Sequence, residues 1–287
     1  MISVVIPALN EEKAIVETIK RVRATLDSRN LSQYEILVVD DGSTDRTGEL
    51  AEKTGVRVLR HPHNVGYGRS LKAGINAANH DVIVITDADG SYAIEEIPVL
   101  LARHQAGFDM VVAARTGKYY HESIIKSPLR WLLKHIVQFT AGREIPDINS
   151  GLRVFNRATA QQYFNRLSDA FSFTTSMTLA YMMNGKFVDY QKTAYHPRIG
   201  KSKVHLIRDS IRTAQYILEA ATYYNPLKIF TLLAVLCFMF AMASIGAALL
   251  LHLLSLFILG VGGILLSMLV FAMGLQAVLL KQIMDRP

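Results

Sequence analysis

Val82-Ile83-Val84-Ile85-Thr86-Asp87-Ala88-Asp89 is the stretch on which the reading of this chain turns. Four apolar residues and a threonine read as a short strand, and two carboxylates follow at its end. Positions i and i+2 of an extended chain point the same way, so Asp87 and Asp89 can face one ligand. Working outward, residues 3–6, 35–39 and 57–59 are further short β-rich runs. Residues 12–26 and 68–78 carry helical spacing, and Ser43-Thr44-Asp45 is a helix start. This βαβα order predicts an α/β fold: a mostly parallel sheet with helices on both faces. Ligands of such sheets bind beyond the carboxyl ends of the strands. Those ends carry Pro7-Ala8-Leu9-Asn10-Glu11, Asp40-Asp41-Gly42-Ser43 and the Asp87/Asp89 pair, so three polar clusters are expected on one edge.

The other end of the chain has a different character. Between Ile229 and Leu280 there is no Asp, Glu, Lys or Arg. At about 20 residues per crossing, that run suffices for two transmembrane helices, which break near His252-Leu253-Leu254-Ser255 into spans 229–251 and 255–280. Lys228 flanks one end, Lys281 and Arg286 the other, and the turn between the spans has no Lys or Arg. The positive-inside tendency therefore places the basic ends and the preceding domain in the cytoplasm, making a multi-pass protein of the cell membrane. Met1-Ile2-Ser3-Val4 lacks the basic start of a signal peptide. The single cysteine, Cys237, excludes an intrachain disulfide. With 287 residues and a net charge of +7, one catalytic domain plus a membrane appendage is expected.

Two amphipathic helices are expected in between. In residues 123–141, Lys126, Arg130, Lys134 and Gln138 fall at steps of four on one stripe. In residues 204–224, Ile207, Ile211, Ala214, Leu218 and Ala221 make the apolar stripe. Such helices lie in the headgroup layer or pack on their own domain. The second leads directly into Asn225-Pro226-Leu227-Lys228 and is expected at the interface. The division is then a catalytic domain at 1–203, including the helix near 123–141, an interfacial helix at 204–226 and two membrane helices at 227–287.

Chemistry is expected at the strand ends. Paired carboxylates suit a hard divalent cation, Mg²⁺ or Mn²⁺, although the same spacing also serves helix capping. The doubled aspartate Asp40-Asp41 leaves one carboxylate to spare after a cap, and His63-Asn64-Val65-Gly66-Tyr67-Gly68 is a turn that shapes a pocket. Arg115 follows the apolar run 110–114, and Arg198-Ile199-Gly200-Lys201-Ser202-Lys203 is a basic loop; guanidinium forks match phosphate oxygens. Asp147-Ile148-Asn149-Ser150-Gly151-Leu152-Arg153 reads as a polar loop with one acid and one base.

Taken in order, Pro7–Glu11, Val38–Asp45, Asp87–Asp89, Asn149–Arg153 and Arg198 with Ser202-Lys203 resemble the family-2 glycosyltransferases, specifically the dolichol-phosphate mannose synthase and bactoprenol glucosyltransferase group. The resemblance covers essentially the whole soluble part. It implies a GT-A fold and inverting transfer of a hexose from a nucleotide-sugar, UDP-glucose or GDP-mannose in type, to undecaprenyl or dolichyl phosphate. It implies that Pro7, Leu9, Asn10, Glu11 and Asp41, with Asp87, bind the nucleotide, and that Asp87 and Asp89 hold Mg²⁺ or Mn²⁺. Arg115, Arg130, Lys134, Arg153, Arg198, Ser202 and Lys203 would hold phosphates, the acceptor's included. Asp89 and Asp147 are the catalytic assignments, Asp147 either as a base or as an orienting group. Mannose synthases often continue the metal motif with Leu-Gln, whereas this chain has Gly90-Ser91-Tyr92; mannose as the sugar, and Ser91 as a metal ligand, stay open.

The partners implied are the nucleotide-sugar, polyprenyl phosphate and the lipid bilayer, with no nucleic acid, self-association left open and a separate flippase downstream. The alternatives are transfer to a sugar or glycolipid hydroxyl, and a non-catalytic membrane subunit that binds nucleotide-sugars.

Overall fold

Seven strands make one sheet in the computed structural model of the chain, which describes residues 1–29, 33–117, 135, 137–139, 142–199, 214–215, 217–219 and 222–284. The chain divides into two units, Met1–Ile217 and Leu218–Pro287. In the first, the order is β1 (Ile2–Ala8), α1 (Ile15–Asp27), β2 (Tyr34–Asp40), α2 (Thr47–Lys53), β3 (Arg57–Arg60), α3 (Tyr67–Ala77), β4 (Val82–Ile85), α4 (Ile97–Gln105), β5 (Met110–Thr116), β6 (Arg153–Asn156), α5 (Arg157–Gln161), α6 (Phe173–Met183) and β7 (Val188–Ala194). Across the sheet the strands run β3-β2-β1-β4-β6-β5-β7.

Strand β1 is central, pairs in parallel with β2 and β4, and is buried at every position. A strand covered on both faces has no side to give to water, which is why it reads as an almost unbroken apolar run. On one face Val4, Ile6, Val38 and Val84 join Ile15, Ile19, Val22 and Leu26 of α1 and Leu100 of α4 in a single cluster. Each such buried side chain contributes about 1.5–3 kcal/mol of transfer free energy. The other face is covered by α3. A Cβ on Gly74 would lie 2.8 Å from Val39 Cγ2 and against Val5, so the absence of a side chain lets this helix sit down on the sheet. The expected mostly parallel sheet with helices on both faces is present.

Strands β6 and β7 were not expected. Residues 147–153 read as one polar loop, but its last residue, Arg153, opens β6 and lies in register with Ile85. Strand β6 runs antiparallel between β4 and β5, and β7 pairs in parallel with β5. This topology builds the site. Because β6 is reversed, the residues that precede it hang at the edge where β4 and β5 end. The residues that follow β5 and β7 reach that edge too. Asp87–Asp89, Arg115, Asp147–Gly151 and Tyr195–Arg198 are thereby brought together from four separate segments. Most of the expected helix at 123–141, and most of that at 204–224, lies outside the described residues; His135, Val137–Phe139 and Tyr223-Tyr224 are helical.

The second unit is a helical hairpin, α7 (Pro226–Leu251) and α8 (Leu254–Met284). Asn225 caps α7, its side chain accepting from Lys228 N at 3.3 Å, with Pro226 in the first turn. His252 ends the helix in the left-handed conformation, φ +51°. The hairpin closes on small residues. Gly263 faces Ala241, Gly274 faces Phe230, and Ser267 Oγ donates to Ala234 O at 2.8 Å. Lys281 Nζ donates to Tyr224 O at 2.7 Å, tying the end of α8 to the segment that enters α7. Both helices are long and apolar enough to cross a membrane, at mean hydropathies of 2.4 and 2.5. Most of their apolar side chains are uncovered, Leu250 at 82% and Leu254 at 72% exposure, which is not the pattern of a buried core hairpin.

Candidate active site

The site starts where β4 stops. Asp87 and Asp89 leave the strand with a buried alanine between them. Tyr67, at the start of α3, donates its hydroxyl to Asp87 Oδ1 at 2.9 Å. A Cβ on Gly151 would stand 2.8 Å from that oxygen and 2.9 Å from Oδ2, so only glycine lets the loop before β6 lean on the carboxylate. Burial, then the charge of Asp89, push the Asp87 carboxyl up to about 6. Asp89 is 6% exposed; its Oδ1 accepts from Ser91 N at 3.0 Å and Ser91 Oγ at 2.5 Å, and its Oδ2 meets Arg198 at 3.0 Å. Ser91 is thus a fully buried brace for Asp89, with its hydroxyl proton committed to that carboxylate. Among the described residues no third Asp, Glu, His or Cys joins the pair as a metal ligand. Two crowded carboxylates, one of them driven toward protonation, are a fit for a divalent cation whose other ligands are phosphate oxygens and water.

Beside this pair stands a second one. Asp147, 2% exposed, takes Arg115 in a two-pronged bond, Nε to Oδ2 at 2.7 Å and Nη2 to Oδ1 at 2.9 Å, and also accepts from Arg115 N at 3.1 Å. Burial works against the charge on Asp147, but Arg115 and these hydrogen bonds outweigh it and hold the carboxyl below its ordinary range. The guanidinium of Arg115 also lies 5.3 Å from the centre of the Tyr195 ring. Tyr195 in turn meets Tyr92 edge-on, and the Tyr92 hydroxyl accepts from Gly151 N at 2.6 Å.

Arg153 requires a correction. It was expected to hold phosphate, yet it is 0% exposed, with Nε on Ser150 O at 2.7 Å, Nη1 on Thr178 Oγ1 at 2.7 Å and Nη2 on Ile148 O at 2.8 Å. Its side chain is enclosed at the base of the loop and fixes the path of residues 148–150. Nor does Asp147 orient it, since that carboxylate is taken by Arg115.

The nucleotide-side residues lie along the ends of β1 and β2. Pro7 is buried within β1, next to Val39, and Leu9 is half-buried just beyond it. Asn10 adopts φ +51°; its Oδ1 accepts from Thr44 N at 2.7 Å, while Asn10 N donates to Ser43 Oγ at 2.9 Å. Glu11 N donates to Thr47 Oγ1 at 2.7 Å, so the two turns are laced into one wall. Asp41 is 4% exposed and already serves three donors: His61 Nδ1 at 3.0 Å, Val65 N at 2.9 Å and Gly66 N at 3.0 Å. It shapes the turn that precedes α3. Arg130, Lys134, Ser202 and Lys203 lie outside the described residues.

Tyr67, Tyr92, Tyr195 and the exposed Phe171, which stacks on Tyr67 at 5.6 Å, were missed by sequence reasoning. Only Tyr67 carried a signal, its place in a glycine-rich turn before a helix.

The family model for glycosyl transferase family 2 matches residues 3–164, more than half of the chain. The chain belongs to that family. Among the curated relatives of this family-2 chain is the low-salt glycan biosynthesis hexosyltransferase Agl6 of Haloferax volcanii, 31% identical over 231 residues, covering 78% of this chain and 54% of the relative. Another is the undecaprenyl-phosphate 4-deoxy-4-formamido-L-arabinose transferase of Edwardsiella ictaluri, 35% identical over 160 residues, covering 54% of this chain and 48% of the relative. The chain spans about half the length of these relatives. Among solved structures, glucosyl-3-phosphoglycerate synthase of Mycobacterium tuberculosis, crystallised with Mn²⁺, UDP and phosphoglyceric acid, superposes with a TM-score of 0.61 at 21% identity, over 77% of this chain and 78% of the other. That likeness identifies the GT-A-like fold.

Proposed function

We propose that this chain transfers a hexose, with inversion, from a nucleotide-sugar of the UDP-glucose or GDP-mannose type to a polyprenyl phosphate at the cytoplasmic face of a membrane. The observation that carries the reading is the make-up of the chain: a family-2 domain with an acidic pair and two arginines at its ligand edge, continued by two helices long and apolar enough to cross a bilayer. The undecaprenyl-phosphate transferase among its relatives supports the same acceptor.

In this reading Pro7, Leu9, Asn10 and Glu11 receive the nucleoside, and Asp41 keeps the opposing turn in shape. Asp87 and Asp89 would hold Mg²⁺ or Mn²⁺, which would supply positive charge against the diphosphate. Arg198 pairs with the Asp89 carboxylate and is placed to follow the phosphates as they gain charge. Arg115 receives the acceptor phosphate, with Arg130, Lys134, Ser202 and Lys203 as further candidates. The bond from the anomeric carbon to the diphosphate oxygen breaks as a bond to the acceptor's phosphate oxygen forms on the opposite face. No proton has to move, because a phosphate monoester with a second pKa near 6 is already an anionic nucleophile at neutral pH. The Asp147–Arg115 pair favours this acceptor over a hydroxyl. A carboxylate held below its ordinary range by an arginine is a poor base, so Asp147 serves by aiming Arg115.

The catalytic part comprises residues 1–203, residues 204–226 form the interfacial segment, and the hairpin anchors the chain, replacing a three-dimensional search for the lipid by a two-dimensional one. The product is left on the cytoplasmic leaflet and needs a separate flippase. The reading is tested by offering the detergent-purified protein, with Mn²⁺ and undecaprenyl phosphate, a panel of labelled nucleotide-sugars. Label is expected in the organic phase with one donor and is lost in Asp89→Ala. Absence of organic-phase label with every donor, while nucleotide-sugar still binds, would reject the acceptor.

A further inference from the structure

The segment that carries the acidic pair is gripped from behind, and its backbone makes the grip regular. Ala88, Gly90 and Tyr92 alternate with Asp87, Asp89 and Ser91. The carbonyls of the first three all receive donors from helix α1. Thr18 Oγ1 donates to Ala88 O at 2.9 Å, in a fully buried bond. Arg21, one turn further along the same helix, donates Nη1 to Gly90 O at 3.2 Å and Nη2 to Tyr92 O at 3.2 Å. Past β4 the chain turns at Ala88-Asp89 and bends at Gly90, so these three bonds, rather than a strand ladder, fix the backbone from which Asp87 and Asp89 project.

The arginine is itself fixed. Glu95 takes Nε at 3.0 Å and Nη2 at 2.9 Å, so one planar fork is shared between a carboxylate and two carbonyls two residues apart. A lysine, with a single nitrogen at the end of a flexible stem, cannot bridge these three acceptors. Gly90, at φ +72°, gives the segment the turn by which its carbonyl meets Arg21.

We infer that Thr18 and Arg21 of α1, with Glu95 behind them, are positioning residues for the divalent cation: they set the separation and direction of the Asp87 and Asp89 carboxylates through the backbone of the loop. The inference rests on the proposal that these two carboxylates hold a metal. Partners that orient metal ligands typically change metal affinity by about 10- to 100-fold when removed.

The test is Mn²⁺ binding to the full chain in detergent micelles with UDP or GDP present, read from the electron paramagnetic resonance signal of free Mn²⁺. Arg21→Lys and Thr18→Val are expected to weaken binding about tenfold or more, with thermal midpoints close to that of the unaltered chain. Thr18→Ser, which keeps the hydroxyl, is expected to bind as the unaltered protein does. Arg23→Lys controls for changes to α1 itself, because Arg23 donates to Thr54 O on a different part of the fold. If Thr18→Val fails to fold, Arg21→Lys and the exposed Glu95→Gln still decide the matter, the latter with a smaller loss in the same direction. Equal Mn²⁺ affinity in the unaltered chain, Arg21→Lys and Glu95→Gln would overturn the clamp and leave the metal site standing. No Mn²⁺ binding by the unaltered chain would remove the metal site and the clamp together.

Discussion

Asp147 and Arg115 carry the sharpest consequence at the scale of single residues. The two are bound by two side-chain hydrogen bonds, and the acid is almost wholly enclosed. Asp147→Asn and Arg115→Lys should therefore lower transfer by similar factors, and the double variant should lose little more than either alone. A double-mutant cycle is expected to return a coupling of about 1–3 kcal/mol; additive losses would mean that the two residues act separately. The direction of titration adds a second check. The Asp147 carboxyl is depressed, so its contribution to stability is present above the ordinary aspartate range and is lost only as pH falls below it. Across pH 6.5–8.5 Asp147 stays ionised and imposes no limb on the rate profile. Asp87 runs the other way. Its carboxyl is raised to about 6, so a proton competes with the cation below that pH. Mn²⁺ affinity should rise about fivefold from pH 5 to pH 6 and level off above pH 7. An affinity independent of pH over that range would count against Asp87 as a ligand.

At the scale of elements, the reversed strand β6 separates two arginines that look alike in sequence. Arg153 is walled in at the start of β6, whereas the Arg198 side chain keeps 35% exposure after β7. Arg153→Ala removes the hydrogen bonds to Ser150 O, Thr178 Oγ1 and Ile148 O and leaves a cavity, and should cost about 3–5 kcal/mol of stability in a denaturant titration. Arg198→Ala should leave the midpoint near its original value and weaken nucleoside diphosphate binding, as read by isothermal titration. The reverse pattern would exchange the two roles. The strands up to β5, with α1, α3 and the start of α2, were legible because each is a local signal: an apolar run, a helical period, a polar end; α4 (Ile97–Gln105) was not read. Strand β6 was hidden because it is only four residues long and begins with a buried arginine. Strand β7, Val188-Asp189-Tyr190-Gln191-Lys192-Thr193-Ala194, was hidden because it is partly exposed at the sheet's edge and reads as polar. The carboxylate pair at the end of β4 could be read from spacing alone. The partnership of Asp147 with Arg115 could not, since it spans 32 residues and depends on how β6 returns.

Across the whole molecule a family-2 fold is followed by a hairpin of two helices apolar enough to cross a bilayer, and the chain's single cysteine offers a probe. Cys237 lies within α7. In sealed membranes it should resist a polar maleimide until detergent is added. A cysteine placed at the exposed Ser28 in a Cys237→Ser background should react only when the cytoplasmic side is open to the reagent. Labelling of that cysteine from outside intact cells would reverse the proposed orientation. The break between the two helices was legible at His252 to within a few residues, because an uncharged run of that length admits few other partitions. The helix ends were not, since α7 and α8 extend beyond the uncharged run to Pro226 and Met284. The central claim is that the acceptor is a lipid phosphate. The most direct measurement offers the purified protein, with the one donor it uses, equal concentrations of undecaprenyl phosphate and undecaprenol and counts organic-phase label from each. Transfer to the phosphate alone is expected, with product whose sugar is released by mild acid. Transfer to the alcohol at a comparable rate, or loss of all transfer in Asp147→Asn together with an acid limb in the rate profile of the unaltered protein, would contradict it.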